Sequence, residues 1–234
     1  MSYVRLKHLL SALTLEAVGH PSQAAWAAVA AAYAEQASAE QPAVPWRDCL
    51  ERAAALGAPF GWAPTRRDLI YLVRRGLLVR RGDLVALPET FVPHLNDVRR
   101  QTARLLAAIA DVRGAPRTGE TGGPLVAAVL FNAGLFFACH EWGEGLWRQA
   151  PPETREFYHG LVQVAAAFYH YEKGNLRGSR ALLTRGLARL RGFPGSYLGL
   201  DVGRLRADLA PWNQHFAGGP RPPDCPRIHR RQQQ

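Results

Sequence analysis

Apolar residues recur at helical spacing along most of the chain. In the second half, two neighbouring segments share a variant of that pattern. Each is greasy around most of its circumference and carries one narrow polar line. At about 3.6 residues per turn, Leu135–Gln149 places His140, Glu144 and Trp147 on one stripe, with Phe136 and Phe137 beside it and Glu141 and Arg148 flanking it. Leu135, Ala138, Cys139, Trp142 and Leu146 cover most of the remaining surface. Along Arg155–Lys173, the residues Arg155, His159, Gln163, His170 and Lys173 share a stripe among Phe157, Tyr158, Leu161, Val162, Phe168 and Tyr169. Helices apolar nearly all round are buried helices. An unpaired buried polar group costs about 1–3 kcal/mol. The pattern therefore predicts the two lines face to face, His140–Glu144 against Gln163–His170. Pro151 and Pro152 mark a short turn, which makes the two helices antiparallel neighbours.

The same periodicity predicts helices over Met1–Val18, Gln23–Ala37 with Ser22 as cap, Trp46–Leu56 closed by Gly57, and Arg66–Arg75 capped by Thr65 and closed by Gly76. Residues 38–45 read as a loop. Leu77–Leu87 is different: two short β-rich runs flank Gly82-Asp83, a hairpin signal. A helix over Phe91–Val112 follows. Arg113–Pro124, rich in glycine and proline, is the best domain boundary. Beyond the central pair, Lys173-Gly174-Asn175 turns into a helix over Leu176–Leu190, and the helix–turn–helix unit resembles one tetratricopeptide-type hairpin. A loop over Phe193–Gly199 and a short helix over Val202–Leu209, with Asp201 as cap, complete the predicted elements. Residues 210–234, with five prolines and four arginines, are expected to be a largely disordered basic tail.

Thr65–Leu78 resembles the recognition helix and first wing strand of a winged-helix module, a resemblance that extends over about Gln23–Leu87. Six arginines stand against two aspartates between Phe60 and Val85. Arg66, Arg67, Arg74 and Arg75 fall on or beside the helix, and Arg80 and Arg81 at the wing tip. Such residues suit phosphate contacts, while base readout needs side chains at groove edges. Asp68 and Tyr71 are the candidates there. The competing reading is a protein-docking module.

Phe131-Asn132-x-Gly134-x-Phe136, His140-Glu141, Glu144 and Trp147-Arg148, followed by Gly160-Leu161-x-Gln163-x-Ala165-Ala166, His170, Gly174-Asn175 and Gly178, resemble the bacterial and plastid domain of unknown function family 309 (DUF309). The resemblance covers roughly Leu125–Leu190 and implies a small all-helical domain without implying an activity. Ala138 stands where the family usually has an acid, Gly143 and Gly145 where it has better helix formers, and His159 where Gln or another residue is usual.

Composition adjusts this picture modestly. The 234 residues are 47% hydrophobic and 21% charged, enough for one large or two small cored domains. The formal net charge is +10, almost all of it arginine, and favours polyanionic over acidic partners. Three scattered cysteines without a CxxC argue against a disulfide framework and fit a reducing cytoplasm. Cys139 adjoins His140 but projects about 100° away from it, as a core cysteine would. The N-terminus lacks the apolar run of a signal peptide, and no apolar window is long enough to span a bilayer.

Three readings therefore compete for His140, Glu141, Glu144, Arg148, Gln163 and His170. One is a structural network of hydrogen bonds and ion pairs, with Glu144–Arg148 at helical pairing distance. The second is a metal site, with His140 and Glu144 at i, i+4 and His170 from the neighbouring helix as ligands for zinc, iron or manganese. The third is a metal-free acid/base or anion pocket. The expected fold is mainly α: a winged-helix-like module with one short β-hairpin over 1–112, a linker over 113–124, an all-α helical-bundle domain over 125–209, and the tail. The leading functional reading is a non-enzymatic DNA-binding or regulatory protein. Double-stranded DNA and a small ligand or protein are its expected partners, no membrane is involved, and no particular cofactor is implied. The alternative is a metal-assisted hydrolase centred on His140, Glu144 and His170.

Overall fold

The computed structural model describes residues 2–114 and 119–231. It separates into two units, Met1–Arg113 and Gly114–Gln234.

The first unit is built on an alanine-rich helix, α2 (Trp26–Gln36), nine of whose eleven residues are buried. Its small side chains let α3 (Trp46–Gly57) and α5 (Leu95–Arg113) pack against it, and α1 (Ser2–Gly19) packs on α5, with Leu6, Val29, Leu72, Val98 and Ile109 in the core. α4 (Arg66–Arg75) has well-formed ends. Thr65 accepts the Arg67 N–H while the Asp68 carboxylate accepts the Thr65 N–H, a capping box, and Gly76 closes the helix at φ 80°. Gly82, at φ 60°, turns the hairpin of β2 (Val79–Arg81) and β3 (Leu84–Ala86).

A third strand, β1 (Ala43–Pro45), lies in the segment expected to be a loop. It pairs antiparallel with β3 through Ala43↔Ala86, Val44↔Val85 and Pro45↔Leu84, giving the sheet order β1-β3-β2. The buried Tyr33 hydroxyl fastens this sheet to α2: it donates to Pro42 O at 2.7 Å and accepts from Leu87 N at 2.8 Å. Two other expectations shift. α2 starts at Trp26 without a side-chain cap, after a single 3-10 turn at Pro21–Gln23. The helix expected from Phe91 becomes α-helical only at Leu95, because Pro93 lacks an N–H and disfavours α geometry in the residue before it.

In the second unit, α6 (Gly122–Asn132) and α7 (Phe136–Gln149) form one helical hairpin, and α8 (Pro152–Glu172) and α9 (Leu176–Leu190) another. The same turn is built twice. Gly134 and Gly174 adopt φ 75° and 73°, and each donates to the carbonyl three residues back, of Phe131 and Tyr171. Residues 115–118 of the expected linker lie outside the described residues, and Gly122–Pro124 is already helix, with Pro124 tolerated in the first turn. Phe131, Phe136, Phe168, Trp212 and Phe216 make an aromatic core of edge and tilted contacts.

The C-terminal segment departs most from expectation. Phe193–Gly199 is not simply a loop, because a small hairpin, β4 (Ser196–Tyr197) and β5 (Leu200–Asp201), forms there. The following helix, α10 (Val202–His215), runs through Pro211, since burial of Trp212 and Phe216 offsets the lost hydrogen bond. The segment expected to be disordered is instead laid against the unit through residue 231. Asn132 clasps Ile228, its side-chain amide donating to Ile228 O at 2.9 Å and accepting from Ile228 N at 2.8 Å. Arg231 N donates to Gly199 O and Asp201 N to His229 O, both at 2.9 Å, and Leu200 bridges Arg230. Ile228 is 3% exposed. One buried isoleucine and a strand-like set of backbone bonds order a stretch whose composition alone is polar and proline-rich. Among the described residues, no helix is long and apolar enough to cross a membrane.

Candidate functional sites

The basic surface of the first unit centres on a residue that the sequence pattern did not single out, Trp46. Its backbone N–H and indole N–H both bond Asp83, at 2.9 Å to the carbonyl and 3.1 Å to the carboxylate, so the tip of the hairpin is tied to the start of α3. The guanidiniums of Arg47, Arg66 and Arg80 lie 5.1, 5.8 and 5.8 Å from its ring centroid, within cation–π range. Three elements thus deliver positive charge to one aromatic face. Trp46-Arg47 and the arginine pairs at 66-67 and 80-81 were the available signal, but their convergence is tertiary.

The six arginines named from sequence separate into two groups. Arg66, Arg67, Arg74 and Arg80 are exposed and have no carboxylate partner among the described residues. Arg75 is held by Glu16 at 3.1 Å, and Arg81 pairs with Glu89 at 3.2 Å. The two expected groove-edge residues are structural instead. Asp68 is consumed by the capping box. Tyr71 donates to Glu16 at 2.6 Å and packs on Trp26, and burial together with the carboxylate pushes its hydroxyl up to about 12.

In the second unit α7 and α8 run antiparallel: Phe137 meets Tyr169 near one end and Trp147 meets His159 in a tilted ring contact near the other. Glu144 gathers the polar residues of α7. One carboxylate oxygen lies 3.4 Å from His140 Nε2, and the other accepts from Arg148. Gln163 and His170 do not complete this group. Gln163, 8% exposed, faces α9: its amide oxygen accepts from Arg189 at 3.1 Å and its amide nitrogen donates to His159 Nε2 at 3.3 Å. Glu156 closes a ring, 3.0 Å from Arg189 Nε and 3.9 Å from His159 Nδ1. His159, left outside the candidate cluster, is thus a member of the better-connected network. Burial first, and Arg189 second, lower its pKa from the ordinary 6.5.

His170 sits at the end of α8, its Nδ1 2.9 Å from the Asn175 amide nitrogen, while Asn175 Oδ1 caps α9 by accepting from Gly178 N. A side chain at Gly178 would meet His170 Nδ1 at 2.8 Å, so the glycine makes room for this pair. The expected metal triad of His140, Glu144 and His170 is therefore not assembled. Among the described residues, no three His, Cys, Asp or Glu side chains come together to hold a metal ion. The physical reason is register: His170 belongs to the α8–α9 turn, whereas His140 and Glu144 belong to the middle of α7. Glu141 is half-buried beside them. Cys139 donates to Ala127 O, and burial pushes its thiol up to about 12, so it is a core residue and no nucleophile.

Residues 125–182 match the family described as "Domain of unknown function (DUF309)". The "Uncharacterized protein YpuF" of Bacillus subtilis (strain 168) is 37% identical over 73 residues, 30% of this chain and 42% of that protein. An "Uncharacterized protein" of Aquifex aeolicus (strain VF5) is 27% identical over 84 residues, 36% of this chain and 25% of that protein. The chain therefore spans less than half the length of either curated relative. No solved structure matches it.

Proposed function

We propose that this is a non-enzymatic DNA-binding protein whose first unit contacts duplex phosphates, while the helical second unit holds a ligand or partner. The observation that carries the reading is the Trp46 cluster, where Arg47, Arg66 and Arg80 converge from α3, α4 and β2 around one ring. Topology supports it. The order α2-β1-α3-α4-β2-β3, with the hairpin beside a well-capped α4, is what a winged-helix-like module requires. The guanidiniums of Arg66, Arg67, Arg74 and Arg80, without a carboxylate partner among the described residues, can neutralise phosphates. With Asp68 and Tyr71 turned to structural duty, the surface favours backbone contact over base readout. The enzyme alternative loses its metal ligands to register and is not carried further.

The test is fluorescence anisotropy of the full chain with duplex DNA across a salt series. Each phosphate contact contributes about one unit to the log–log salt slope. An Arg66→Glu/Arg67→Glu/Arg74→Glu variant is expected to weaken binding uniformly across sequences and flatten the slope by about three units. Wild-type affinity and slope retained in the variant would sink the proposal.

A further inference from the structure

The described portion of the C-terminal segment does more than cover apolar surface: it completes a polar cavity. Where it docks on β5 and the start of α10, a space of about 460 Å³ is lined by Ser196, Asp201, Arg204, His229, Arg230 and Arg231. Its volume lies within the range of about 300–1,000 Å³ usual for small-molecule sites. Three arginines line it, and none has a carboxylate partner among the described residues. Asp201 also lines the cavity, which leaves three arginines against one carboxylate. Asp201 Oδ1 caps α10 by accepting from Arg204 N at 2.8 Å, and Asp208 lies 3.7 Å from His229 Nε2. Like charges gathered at one concavity repel unless an anion neutralises them. Guanidiniums recognise phosphate oxygens through paired N–H donors. The backbone bonds of residues 229 and 231, with the Asn132 clasp on Ile228, hold the strap that carries two of the three.

We propose that this cavity binds a small phosphate-bearing anion. A cationic or uncharged ligand leaves the guanidiniums unneutralised. The three arginines line a concavity, which admits the phosphates of a small molecule more readily than the backbone of a rod-like duplex. The site lies entirely within the second unit and does not rest on the DNA-binding reading.

The experiment is isothermal titration of the full chain with pyrophosphate and with ADP, at fixed ionic strength in chloride and without DNA. It compares wild type, Arg204→Ala/Arg230→Ala/Arg231→Ala, and the charge-matched Arg177→Ala/Arg180→Ala/Arg191→Ala. Wild type and the charge-matched variant are expected to bind alike. The cavity variant is expected to bind about tenfold more weakly or worse. Should the triple variant melt early, Arg204→Ala alone, which places a good helix former on α10, is expected to weaken binding in the same direction. Three results overturn the proposal: no binding of either phosphate by wild type, equal losses in the two triple variants, or unchanged binding in the cavity variant and in Arg204→Ala. If wild type binds neither small phosphate, the duplex anisotropy titration is repeated with the cavity variant, and loss of binding there assigns these arginines to nucleic acid.

Discussion

His159 shows how neighbours set the chemistry of a single side chain. Its Nε2 accepts from Gln163, so the proton belongs on Nδ1, towards Glu156. Adding a second proton places a cation in a half-buried site close to Arg189, and the pKa falls below 6.5 despite the opposing carboxylate. In the unfolded chain the same ring takes its proton at the ordinary value. Folding stability is therefore full above about 6.5 and is lost as the pH falls through the folded pKa, because the unfolded state binds more protons. Imidazole NMR titration is expected to give a value below 6.5, and denaturation midpoints to decline over that acid window. His159→Gln is expected to flatten the decline. A His159 pKa at or above the ordinary value would contradict the network. His159 lay on the polar stripe in the sequence, yet its role was hidden, because Arg189 meets it only after α9 folds back on α8.

Between elements, α8 and α9 approach closely, backbone against backbone. A Cβ at Gly186 would lie 3.0 Å from the backbone oxygen of Gly160, and one at Gly160 would lie 3.0 Å from Leu190. Backbone cannot yield as a flexible side chain can. Gly186→Ala is expected to cost about 1–3 kcal/mol in chemical denaturation of the full chain, the range for overpacking. Gly145→Ala is the control: nothing lies within 4 Å of its Cβ position, and alanine raises helix propensity by about 0.5–1 kcal/mol. Equal stability of the two variants would show that the helices do not approach so closely. The contrast also explains which elements were legible. The α4 caps and the turns at Gly134 and Gly174 are local chemistry, written within a few residues. β1 is three residues long and ends in proline, so its strand character comes from its partner, Leu84–Ala86.

Across the molecule, positive charge is unevenly placed. The segment 66–81 carries six arginines against one aspartate, whereas the acidic and basic residues in the rest of the first unit nearly cancel. That distribution is visible in the sequence and underlies the DNA-binding proposal. The docking of residues 224–231 is not visible there. It depends on Asn132, almost a hundred positions earlier in the chain, and on Trp212, whose indole donates to Asp224 O at 3.0 Å. Asn132→Ala removes both bonds of the clasp. It is expected to speed amide hydrogen exchange at Ile228 and Arg231 while leaving the middle of α8 protected. Unchanged exchange at both amides would show that the clasp does not hold the strap.

The sequence by itself determined the predominance of helix, the hairpin at Gly82-Asp83, the capped α4, the glycine turns of the second unit and its resemblance to DUF309. All of these follow from periodicity, caps and turn residues that act over a few positions. Only the tertiary structure decided which polar groups meet. It turned Gln163 towards Arg189 rather than His140, kept His170 at the α8–α9 turn, drew Arg47, Arg66 and Arg80 around Trp46, and set Arg204, Arg230 and Arg231 around one cavity. The physical reason is that helical phase fixes the face on which a residue lies, whereas axial register and the return of distant segments fix what lies opposite it.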